Sequence, residues 1–94
     1  MNNSQGALSG VKVVACSTAQ AGTVPYMLMA DLGADVIKIE VPGVGDGSRR
    51  AGEMKGAEVS SFFETNNRGV KSFTLNLRLD EGKKILHELI KDAD

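Results

Sequence analysis

Ala21-Gly22-Thr23-Val24-Pro25-Tyr26-Met27-Leu28-Met29-Ala30-Asp31-Leu32-Gly33-Ala34-Asp35-Val36-Ile37-Lys38-Ile39-Glu40 reads as a helix running straight into a strand. Pro25 suits the first helical turn, where its missing N–H has no partner to lose. Gly33 follows the apolar helical residues Leu28, Met29 and Leu32, and glycine readily takes the left-handed conformation that closes a helix. Val36, Ile37 and Ile39 are β-branched, and Lys38 and Glu40 interrupt them at alternate positions. The spacing predicts a strand with one apolar and one partly polar face. Val41-Pro42-Gly43 ends it. Upstream, Val11-Lys12-Val13-Val14-Ala15-Cys16 has the same strand character, so the first forty residues form a β-α-β unit with parallel pairing and a right-handed crossover.

Further on, Phe73, Leu75 and Leu77 alternate with Ser72, Thr74, Asn76 and Arg78, the clearest period-two run in the chain. A second helix is expected after it. Asp80 and Glu81 place negative charge at its positive end, and Ile85, Leu86, Leu89, Ile90 and Ala93 recur at helical spacing. That stripe needs a sheet to cover. A parallel sheet in turn needs cover on both faces, so three short strands and two helices predict one incompletely covered face and a chain that is part of a larger α/β fold.

Composition narrows the class. The 94 residues carry a net charge of −1, one cysteine, no tryptophan and 41% hydrophobic residues, which describes a soluble globular piece of at most one domain and no basic nucleic-acid binder. A lone cysteine forms no internal disulfide, which fits a reducing cytoplasm. Met1-Asn2-Asn3-Ser4-Gln5-Gly6 lacks the basic and apolar regions of a signal peptide, and no apolar run approaches a membrane span.

Two places could hold a ligand. Residues 41–71 are rich in glycine, with only Val59, Phe62 and Phe63 as an apolar patch, and loops of this length tend to be functional or disordered. Over 41–78 the basic residues are Arg49, Arg50, Lys55, Arg68, Lys71 and Arg78, against Asp46, Glu53, Glu58 and Glu64. That modest excess suits a phosphorylated ligand, although charge alone favours a solvated loop. The second place is Ala19-Gln20-Ala21-Gly22, at the carboxyl edge of the first strand and leading into a helix, where open α/β sheets bind ligands. Its single glycine does not make the G-x-G-x-x-G of a dinucleotide site, even with Glu40 ending the second strand. The same residues could simply make a tight connection. Cys16 and His87 lack the partners that nucleophilic or metal chemistry needs, so Cys16 is expected to be a small buried strand residue and no metal site is expected.

Six segments in register carry a resemblance: Leu8-Ser9-Gly10-Val11-Lys12-Val13-Val14, the Ala21-Gly22 turn, Asp31 to Glu40, Pro42-Gly43-x-Gly45-Asp46-x-x-Arg49, Asn67-Arg68-Gly69-x-Lys71-Ser72, and Glu81-Gly82-Lys83. In order and spacing the chain resembles the N-terminus of the class III CoA-transferases, a family that includes formyl-CoA transferase, carnitine CoA-transferase and the related α-methylacyl-CoA racemases. The resemblance runs from Leu8 to Asp94.

It implies a Rossmann-like α/β fold, with residues 1–94 as the N-terminal part of a larger CoA-binding domain, in an interlocked homodimer. It also implies coenzyme A, as acyl-CoA, and a carboxylic acid as the substrates, with no nucleic acid or membrane partner. Positions matching the family's CoA contacts are Gln20 and Ala21 in the first turn and Leu75, Asn76, Leu77 and Arg78 after the third strand. A basic residue that some members carry after the strand-ending glutamate is Val41 here, and the first basic residue of the Asn-Arg-Gly-Lys-Arg-Ser motif is Val70. The family's nucleophilic aspartate lies beyond position 94. Asp31, Asp35 and Asp46 are poor substitutes, so no catalytic residue is expected in this chain and the 94 residues alone are expected to be inactive. The racemase branch would need an acid/base pair, also downstream. The rival expectation is a small stand-alone, non-enzymatic nucleotide-binding module.

Overall fold

The computed structural model describes residues 6–50 and 60–94. The leader Met1 to Gln5 and the expected contributions of Gly52, Glu53, Lys55, Gly56, Glu58 and Val59 lie outside the described residues.

Three parallel strands form one sheet in the order β1-β2-β3: β1 is Lys12–Ala15, β2 is Asp35–Glu40 and β3 is Lys71–Thr74. Helix α1 (Val24–Asp31) joins β1 to β2, a short 3-10 turn (Gly47–Arg49) and helix α2 (Ser61–Asn66) lie between β2 and β3, and α3 (Asp80–Lys91) follows β3. The β-α-β unit, the parallel pairing and the terminal helix are as the periodicity predicts. Pro25 sits in the first turn of α1, and Gly33 closes that helix with φ +104°.

Register explains the layers. Val13 pairs with Val36, Ala15 with Lys38, Lys38 with Ser72 and Glu40 with Thr74. Side chains alternate across a pleated strand, so Val36, Lys38 and Glu40 share one face and Ile37 and Ile39 the other. On the first face, Ala15, Tyr26, Ala34 and Val36 make the core, with Leu8, Val11, Val13, Ala30 and Val70 packed around it. Fully burying one side chain of valine size contributes about 1.5–3 kcal/mol. On the second face, Ile85 and Leu89 of α3 stand over Val14, Ile37 and Phe73 but leave a cleft of about 420 Å³ between them. Cover on that face is therefore partial, and Ile85 and Ile90 remain 43% and 51% exposed.

Three expectations need correction. The third strand stops at Thr74 rather than continuing to Arg78. Leu75 N–H still donates to Glu40 O at 3.0 Å, but Asn76 then turns the chain, its carbonyl accepting from Leu79 N–H at 3.2 Å and its side chain from Arg78 N–H at 3.0 Å. A short polar side chain that bonds its own backbone two residues on competes with the ladder. Of that alternating run only Leu75 is buried, while Phe73 and Leu77 are exposed. The stretch 41–71 is not uncommitted, since it contains the 3-10 turn and α2, each started by a side chain bonding a backbone N–H: Asp46 to Ser48, and Ser60 to Phe63. Finally, Cys16 is exposed rather than buried, because β1 ends at Ala15.

Candidate functional site: a cleft at the strand ends

The carboxyl ends of all three strands border one cleft of about 520 Å³. Cys16 comes from the end of β1, Ile39 to Pro42 from the end of β2, and Leu75 to Arg78 from the turn after β3. Its walls are mostly apolar. Arg78 is the one cationic side chain lining it, and among the described residues Arg78 takes part in none of the ion pairs.

A buried polar network braces this edge from the α1 face. Lys38 is 1% and Asp46 2% exposed, and they meet at 2.6 Å. Lys38 Nζ also donates to Asn67 Oδ1 at 2.8 Å and lies over the rings of Tyr26 and Phe63, 5.7 and 5.1 Å from their centroids. Asp46 accepts from Ser48 N–H and Ser48 Oγ, both at 2.8 Å. Burial penalises the Asp46 carboxylate, yet its bonds to Lys38 and Ser48 outweigh that and hold its pKa below the ordinary value.

Glu40 is the second anchor. Arg49 grips it with two bonds, Nε to Oε1 at 2.8 Å and Nη2 to Oε2 at 2.6 Å, while Asp46 N–H donates to Oε1 at 2.8 Å and Ser72 Oγ donates to Oε2. Paired forks of this kind are among the stronger hydrogen bonds. Gly45 takes φ +65°, and a Cβ there would lie 2.6 Å from Glu40 Oε1, so only glycine lets the loop pass so close. The Arg49 bond, opposed by burial and reinforced by Ser72 and the Asp46 N–H, lowers the Glu40 pKa from 4.5 to about 2. Because the folded value lies below the unfolded one, this stabilisation is present above about pH 4.5 and is lost as pH falls towards about 2. Urea midpoints taken across that window should therefore fall more steeply for the native protein than for Glu40→Gln. Parallel slopes would show that Glu40 is not the group involved.

Of the residues expected to contact ligand, Leu75, Asn76, Leu77 and Arg78 line the cleft together. Gln20 and Ala21 are exposed in the turn between Cys16 and α1, outside the cleft's lining residues. Three of the five described cations of the 41–78 stretch serve the chain itself: Arg49 holds Glu40, Arg68 holds Asp31 at 2.7 Å, and Lys71 meets Asp35 at 3.2 Å. Lys38, Asp46 and Cys16 were not singled out as site residues by their sequence. The signal that could have found the first two is a lysine and a glutamate two apart on one strand, followed by an aspartate and an arginine three apart in a glycine turn. Among the described residues no helix is long and apolar enough to cross a membrane, and no cluster of His, Cys, Asp or Glu is placed to hold a metal ion.

Comparison with known proteins matches this geometry to a family. The chain is 38% identical over 98 residues to the cinnamoyl-CoA:phenyllactate CoA-transferase of Clostridium sporogenes, covering 100% of this chain and 24% of that protein. It is 40% identical over 88 residues to the formyl-CoA:oxalate CoA-transferase of Rhodopseudomonas palustris, covering 94% of this chain and 21% of that one. The crystal structure of a CAIB/BAIF family protein from Brucella suis superposes with a TM-score of 0.87 at 36% identity, over 95% of this chain and 24% of that chain. The chain thus spans between a fifth and a quarter of the length of these relatives. The pattern of CoA-transferase family III matches residues 8–94, and the chain belongs to that family.

Proposed function

We propose that this chain is the CoA-binding N-terminal part of a class III CoA-transferase, which moves CoA between carboxylic acids. The observation that carries the proposal is the cleft where three parallel strands end, with apolar walls and Arg78 at its rim. Open α/β sheets bind ligands at this edge. The apolar walls suit the pantetheine arm of CoA, and a guanidinium suits its phosphates. Gln20 and Ala21 contact the ligand from the neighbouring turn. The nucleophile is an aspartate outside these 94 residues: its carboxylate attacks the thioester carbonyl, CoA leaves as the thiolate, and the acyl group stays on the enzyme as a mixed anhydride. The CoA thiolate stays bound and attacks the aspartyl carbonyl of the anhydride, which releases the first acid and leaves an aspartyl-CoA thioester. The second acid attacks that thioester to form a new anhydride and free the thiolate, which then takes the new acyl group and restores the aspartate. The names of the relatives favour transfer over racemisation. The homodimer and the cytoplasmic compartment implied by the resemblance and the single cysteine belong to the same proposal.

The test is CoA affinity measured by calorimetry on the full-length protein. Arg78→Ala is expected to weaken binding by about 1–3 kcal/mol, the usual loss for a hydrogen bond to a charged group. Lys91→Ala is the control, because Lys91 is exposed on α3 and pairs only with Glu88, at 2.9 Å, among the described residues. It should change binding little. Equal affinities for the two variants would show that CoA does not use this cleft.

A further inference from the structure

Ala19 is the one non-glycine among the described residues with a left-handed backbone, at φ +65°. Such a conformation persists only where the surroundings impose it. Several of the bonds that shape this turn are local. Thr23 Oγ1 donates to Ala19 O at 2.6 Å, Tyr26 Oη to Ser17 O at 2.9 Å, and Ser17 Oγ to Gly22 O at 2.8 Å. One comes from far along the chain. Ala19 N–H points between the two carboxylate oxygens of Asp46, at 3.4 and 3.3 Å, across 27 residues. Asp46 is itself fixed to β2 through Lys38 and to the 3-10 turn through Ser48. The carboxylate therefore ties the turn after β1 to the register of β2, and the next two residues of that turn are Gln20 and Ala21.

We propose that Asp46 is a positioning residue of the CoA site: from its buried place it holds Ala19 in the left-handed turn and so sets where Gln20 and Ala21 meet the ligand. It touches no ligand itself. The inference rests on the reading that those two residues contact CoA. On this view, the glycine-rich loop at Gly43 to Ser48 governs CoA affinity through a side chain rather than by contributing phosphate ligands.

Two substitutions break the connection from opposite ends. Asp46→Ala removes the acceptor. Ala19→Val leaves the Asp46, Lys38 and Ser48 bonds in place but puts a β-branched residue at a positive φ that it strongly disfavours. Ala19 lies on the surface, so this second variant tests the idea even where the first fails to fold. Calorimetry with CoA on the full-length protein should show at least a tenfold weaker affinity for each. Adding Ala19→Gly to Asp46→Ala should recover part of that affinity without recovering the melting temperature, because glycine reaches positive φ without help. A purely structural role for Asp46 would not give that split. Wild-type affinity in Ala19→Val, or no recovery on adding Ala19→Gly, overturns the proposal. If Arg78→Ala still weakens binding in that case, the cleft reading survives and only the role of Asp46 falls. If Arg78→Ala is silent as well, the CoA site itself is misplaced.

Discussion

Lys38→Met is expected to destabilise the protein by about 3–5 kcal/mol, the cost of leaving a buried charge without its partner. Native proteins are stable by only about 5–15 kcal/mol, so this is a large fraction of the whole. Methionine has nearly the length and volume of lysine, and the loss would therefore not come from a cavity. It would come from Asp46, which is 2% exposed and would keep its desolvation penalty while losing a 2.6 Å ion pair. Asn67 Oδ1 would lose its 2.8 Å donor at the same time. The companion double variant, Lys38→Met with Asp46→Asn, removes both charges, and it should recover a substantial part of the loss, since replacing a buried pair as a unit is often close to neutral. Urea unfolding followed by circular dichroism reads both. A single-variant loss below about 1 kcal/mol, the range of exposed pairs, would mean that water reaches Asp46 and that the network is not buried.

The second large effect runs against helix propensity. Gly82 lies in the first turn of α3, and alanine in a helix interior is favoured over glycine by about 1 kcal/mol. Gly82→Ala should nevertheless destabilise, by about 1–3 kcal/mol, the range for forcing an added methyl into a packed site. A Cβ at Gly82 would sit far inside van der Waals distance of the Asn76 carbonyl oxygen, a backbone atom that cannot swing aside as a side-chain tip can. That carbonyl also accepts the Leu79 N–H that closes the turn. The displaced segment is Asn76 to Arg78, one wall of the cleft, so CoA affinity should fall together with the melting temperature. Lys84→Ala, at an exposed position of the same helix, should leave both within experimental error. A higher melting temperature for Gly82→Ala would show that α3 stands further from the turn than its contacts indicate.

By itself the sequence determined the elements that rest on local periodicity and on backbone chemistry. The alternation of Val36, Ile37 and Ile39 with Lys38 and Glu40, the Gly33 stop, the acidic start of α3 and its 3.6-residue stripe all act within a few residues, so they are legible without knowing the fold. The six motifs in register carried the family. Family resemblance puts all four residues Leu75 to Arg78 at the end of the third strand, and the cleft gathers all four, although the strand itself ends sooner. What only the tertiary structure decided is which charged groups are buried and what they hold. Lys38 and Glu40 have the period of a solvent-facing side, and nothing local distinguishes solvent from a cover formed by α1, α2 and the Gly45 loop. Burial of a charge depends on partners brought from 8 to 29 residues away, as with Asp46 and Asn67 on Lys38. For the same reason the tie between Asp46 and Ala19 was invisible: a left-handed alanine leaves no mark in composition or spacing, and the carboxylate that holds it arrives only when the chain has folded back over β2.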